Sequence, residues 1–107
     1  MTEKDRQIAA ALKKRLSHVV KLVDLKVFGS RARGDADADE FSDLDISIVV
    51  EQLDPNLKHK VREAVWEISL EHGLYISALI FTRHEIEESP MRISPIVRNI
   101  YEEGVSV

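Results

Sequence analysis

The run Asp43-Leu44-Asp45-Ile46-Ser47-Ile48-Val49-Val50 most limits what this chain can fold into. Its first half alternates polar with apolar and its second half is wholly apolar, which is the pattern of a strand. Helical patterns surround it. Ile8, Leu12, Leu16 and Val19/Val20 recur at three- and four-residue steps among Lys, Arg and Gln, predicting an amphipathic helix over about residues 3 to 18. Lys21 to Phe28 is rich in Val and Leu and stops at Gly29-Ser30, as a short buried strand followed by a tight turn would. Ser30 is then placed to cap a helix beginning at Arg31. Asp54-Pro55 starts another helix, with Asp as cap and Pro at the first helical position, and Leu57, Val61, Ala64, Val65 and Ile68 form its apolar stripe up to Gly73. Leu74 to Phe81 reads as a third strand. Ser94-Pro95 opens a last helix, carrying Ile96, Val97, Ile100 and Tyr101, that ends at Gly104. The order α-β-α-β-α-β-α predicts an α/β (α+β) domain, with helices on one or both faces of a small sheet.

A chain of 107 residues, 44% of them hydrophobic, makes one domain with a modest core, and no repeat or linker composition divides residues 1–107. The net charge of -4 argues against a general nucleic-acid coat, which needs a dominant basic surface. Without cysteine there is no disulfide framework, thiolate nucleophile or sulfur-ligated zinc site. No apolar run approaches the roughly 18 to 20 residues of a membrane span, and the charged start MTEKDRQ lacks a signal peptide's apolar core. A soluble, cytoplasmic protein is the expectation.

The chemistry concentrates in FGSRARGDADADEFSDLDISIVV. A Gly-Ser pair directly after a strand and at a helix start offers backbone N–H groups, a hydroxyl and the positive helix end, which suit a phosphate. Gly29 lets the phosphate approach closely. Asp43 and Asp45, two apart on a strand, project from one face roughly 6.5 to 7 Å apart, a spacing that lets two carboxylates share one or two hard cations. Arg31 and Arg33 flank the turn and can offset triphosphate charge through bidentate guanidinium contacts. A phosphate cradle, a carboxylate pair and arginines together suggest metal-assisted phosphoryl chemistry. Magnesium is the expected ion, since it binds through one or two carboxylates plus the substrate's phosphate oxygens.

GSRARG followed by SDLDISIVV resembles the signature of the DNA polymerase beta superfamily, in particular its small MNT-type nucleotidyltransferases, and the likeness runs on to the closing PIVRNIYEEGV. The resemblance implies a small mixed sheet of about three or four strands packed with helices. It also implies transfer of a nucleoside monophosphate, often AMP from ATP, onto a hydroxyl with Mg2+. Many minimal members look like antitoxin partners of a separate HEPN-type helical protein that they adenylylate. Carried over by motif, Gly29 and Ser30 bind the phosphates, Asp43 and Asp45 hold metal and are catalytic, and Arg31 or Arg33 supports the nucleotide. The sequence departs from the pattern twice. The stretch between Ser30 and Asp43 is longer than usual, which reads as a small insertion in the acidic loop Asp35 to Glu40. The third strand, where active members supply another carboxylate, has only Ser77 as a small polar group; Glu71, Glu85 and Glu87 near its ends read as surface charges.

The remaining polar residues carry blander expectations. Asp35, Asp37 and Asp39 alternate but lack the Gly and distal Glu of a calcium loop, and read as a solvated loop. His18, His59, His72 and His84 have no metal-ligand spacing. Trp66 and Tyr75 fit core or partner contacts better than a base-stacking platform. Two functions follow: a magnesium-dependent nucleotidyltransferase acting on a hydroxyl of a partner protein, and a docking antitoxin or nucleotide-binding module whose site has lost its third carboxylate. A homo-oligomer is compatible with both, because so small a domain commonly presents an apolar face to another protein.

Overall fold

The computed structural model describes residues 1–34 and 43–107, so the acidic loop, its insertion and Asp35, Asp37 and Asp39 lie outside the described residues. In chain order the elements are α1 (Glu3–Leu16), β1 (Leu22–Phe28), α2 (Gly29–Arg33), β2 (Leu44–Val50), α3 (Pro55–His72), β3 (Ile76–Thr82), α4 (Arg83–Glu87), a 3-10 turn (Pro90–Ile93), α5 (Pro95–Glu103) and β4 (Val105–Ser106). The strands form one mixed sheet in the order β3-β2-β1-β4. β1 runs antiparallel to β2 and to β4, and β2 runs parallel to β3.

Strand alternation sorts the apolar residues onto two faces. Leu25 and Val27 of β1, Leu44, Ile46, Ile48 and Val50 of β2 and Ile76 of β3 pack under α1 and α3 through Ile8, Leu12, Leu16, Val61 and Ile68. On the opposite face Phe28, Val49 and Phe81 meet Ile86 of α4 and Val97 and Ile100 of α5. β2 is therefore covered on both sides, which explains why its second half carries no polar residue. The helices start where side chains satisfy their first N–H groups. Thr2 and Asp5 form a capping box on α1, Asp54 caps α3 ahead of Pro55, and Ser94 caps α5 ahead of Pro95. Gly73, at φ 62°, ends α3 in the left-handed conformation that glycine adopts without steric cost.

One local expectation differs from the structure, and two short elements, α4 and β4, add to those read from the sequence. α2 begins at Gly29, with Phe28 at its N-cap and no side-chain cap, so Ser30 lies inside the first turn instead of capping a helix that starts at Arg31. The reason is the positive φ of Gly29, 74°, which turns the chain off the strand straight into the helix. α4 was hidden in a segment too short to show periodicity, although Thr82 and Glu85 already spelled its capping box. β4 has two residues, and only its pairing with Lys26 and Val27 makes it a strand.

Candidate functional site

The turn from β1 into α2 and the start of β2 meet because β1 and β2 are neighbours. Phe28, the residue before the turn, is the cross-strand partner of Asp45. Gly29 therefore sits against the Asp45 side chain, and a Cβ built on Gly29 would overlap the carboxylate oxygen Oδ2. Only glycine fits there, for its positive φ and for its missing side chain. The early N–H groups of α2 have no carbonyl one turn back within the helix. With five residues α2 has little macrodipole, so those N–H groups and the Ser30 hydroxyl are what the turn offers an anion.

Asp43 is exposed just before β2, and Asp45 is half-buried as its second residue. Burial pushes the Asp45 pKa up from the ordinary carboxylate value, Asp43 pushes it further, and Arg33 opposes both. Burial and the neighbouring Asp43 charge disfavour ionised Asp45, a penalty that a hard cation relieves, so the two side chains fit one divalent ion shared with a ligand's phosphate oxygens. Among the described residues no group of three acids or histidines gathers to make a closed protein cage.

The two arginines sit differently. The guanidinium of Arg31 is largely buried and donates from Nη1 to Oδ1 of Asp5 at 2.9 Å, tying α2 to the start of α1. Arg33 donates from Nη1 to Oε2 of Glu103 on α5 at 2.9 Å, and its charge reaches Asp45. Both arginines thus touch acidic neighbours, and the charge of Arg33 acts on Asp45.

On the other side of Asp45 stands Ser77, its register partner on parallel β3. The glutamates near β3 have other work. Glu71 pairs with Arg15, Glu85 closes the capping box with Thr82, and Glu87 pairs with Arg83. Two of the four histidines make (i, i+4) contacts, His59 with Glu63 and His84 with Glu88. Trp66 and Tyr75 are 58% and 63% exposed, so neither is core; with Arg62, Ser69 and Ser77 they line an open groove between α3 and β3.

Comparison with known proteins follows the same lines. The sequence profile described as "Nucleotidyltransferase domain" matches residues 6–107. No curated protein matches the chain. Among solved structures, one named as a candidate minimal nucleotidyltransferase superposes with a TM-score of 0.64 at 23% identity, covering 98% of this chain and 94% of the other. Another, named as a candidate nucleotidyltransferase from Sulfolobus solfataricus, gives 0.63 at 18% identity, covering 96% of this chain and 78% of the other. These likenesses establish the fold. Domains of this family use a nucleoside triphosphate and generally a divalent cation. The family profile spans nearly the whole sequence and includes the Gly-Ser turn and the aspartate strand: the chain belongs to the nucleotidyltransferase domain family.

Proposed function

We propose that this single domain is a cytoplasmic nucleotidyltransferase that moves a nucleoside monophosphate, AMP from ATP, onto a hydroxyl of a HEPN-type helical partner, as the antitoxin of a pair. One juxtaposition carries the reading: the Gly29-Ser30 turn lies against Asp45, so a phosphate at the turn and a cation at the aspartates share one small volume. A core protein has no need of a half-buried carboxylate with a raised pKa beside a glycine that only a bare backbone can occupy.

In this reading Gly29 and Ser30 hold the triphosphate through backbone N–H groups and a hydroxyl, and Arg33 offsets charge beside Asp45. Asp43 and Asp45 are the catalytic, metal-holding pair, and Arg31 braces the turn through Asp5. A bound Mg2+ would supply charge neutralisation at the transferring phosphorus and acidify the attacking hydroxyl. The hydroxyl oxygen attacks the α-phosphorus as its bond to pyrophosphate breaks, and the proton leaves to water at the exposed Asp43 side. Positioning and electrostatics account for most of such a rate.

Ser77 favours a second reading. With a hydroxyl where a carboxylate could face Asp45, the site holds a cation less tightly, and the domain could act by docking with nucleotide bound. Incubation with radiolabelled ATP and Mg2+, with and without the protein encoded beside it, separates the two. Label on that protein, lost in Asp43→Ala and Asp45→Ala, supports transfer. A stable complex without label, still formed by Asp43→Ala, overturns transfer in favour of docking.

A further inference from the structure

Among the described residues β3 pairs with β2 alone, which leaves a seven-residue edge, Ile76 to Thr82, without one charged residue or proline. Exposed edges of this kind are normally blunted by charge, proline, a bulge or brevity. The opposite edge follows that rule: β4 has only two residues. Beside the bare edge stand Trp66 and Tyr75, each more than half exposed, lining the groove between α3 and β3.

We infer that this edge is covered by a second copy of the chain, with the two β3 strands antiparallel across a two-fold axis at Leu79. The sequence ISALIFT complements itself in that register: Ile76 opposes Thr82, Ser77 opposes Phe81 and Ala78 opposes Ile80, so small meets large. The helices argue for the same occupant. α1 and α3 share one face of the sheet, with α3 on the β3 side. A two-fold axis perpendicular to the sheet brings the copy's α3 up on that same face, beside this one. An extended peptide added to the edge would bring no helix to meet Trp66, whereas the copy brings its own α3. Arg62 and Trp66, one turn apart on α3, then face their counterparts across the axis, where a guanidinium can lie over an indole.

The test is sedimentation velocity of the full chain over a hundredfold concentration range, with emission of the only tryptophan followed on dilution. A species of twice the 12.2 kDa chain mass is expected, with Trp66 emission moving to the red as it dissociates. Trp66→Glu and Ala78→Lys should each weaken dimerisation at least tenfold while the circular dichroism spectrum stays native. Ile93→Glu, at an exposed site on the 3-10 turn that packs against α4 and α5, should leave the dimer intact. A monomer at every concentration overturns the inference, as does a dimer that survives both edge variants or one dissociated by Ile93→Glu.

Discussion

Asp45 and Ser77 stand side by side on adjacent parallel strands, in register, with their side chains on the same face of the sheet. The neighbour that could complete a three-carboxylate site is thus a hydroxyl. Ser77→Asp should raise Mn2+ affinity, measured by electron paramagnetic resonance with a non-hydrolysable triphosphate present, by about tenfold or more, since cation affinity follows ligand charge count. An unchanged affinity would mean that position 77 does not face the cation.

Gly29→Ala places a methyl group on the Asp45 carboxylate and a side chain at φ 74°. The strained backbone alone should cost about 1–3 kcal/mol of stability in denaturant titration. Nucleotide binding, followed by fluorescence of a labelled triphosphate, should be lost in the variant even where it remains folded.

Asp45 also makes stability depend on pH. Its folded pKa lies above the unfolded value of 3.8, so the folded state binds the proton more readily. The stability this group contributes is fully present below about pH 4 and is lost as pH rises through the folded pKa. In metal-free protein, Asp45→Asn should therefore raise Tm by a few degrees at pH 7, with the gain shrinking as pH falls towards 4. A variant that melts lower at pH 7 would contradict this account of the desolvated carboxylate.

Arg31 and Asp5 form the most buried ion pair described, with side chains 11% and 2% exposed. Asp5 also closes the α1 capping box, so its carboxylate serves two partners. Arg31→Ala leaves that carboxylate buried without its cation and should cost about 3–5 kcal/mol in chemical denaturation. Asp5→Ala combined with Arg31→Ala should cost less than the sum of the single variants, because the pair is coupled.

By itself the sequence determined the elements whose signals are local. Asp54-Pro55 and Ser94-Pro95 fixed two helix starts, Gly73 fixed an end, and the alternation and apolar run of Asp43 to Val50 fixed a strand. The Gly-Ser turn and the aspartate pair were legible for the same reason: positive φ and paired carboxylates are demands on particular residue types. Only the tertiary structure decided what lies across from what. Strand order and register set Phe28 opposite Asp45 and Ser77 beside it, and two-residue β4 exists only through its pairing with β1. The same packing tied Arg31 to Asp5, twenty-six residues away, and left Trp66 outside a core that its amphipathic helix would have allowed it to join. Backbone conformation and capping act within a few residues, so they are written in the chain; which faces meet depends on burying two apolar sheet surfaces at once, a condition that no single segment contains.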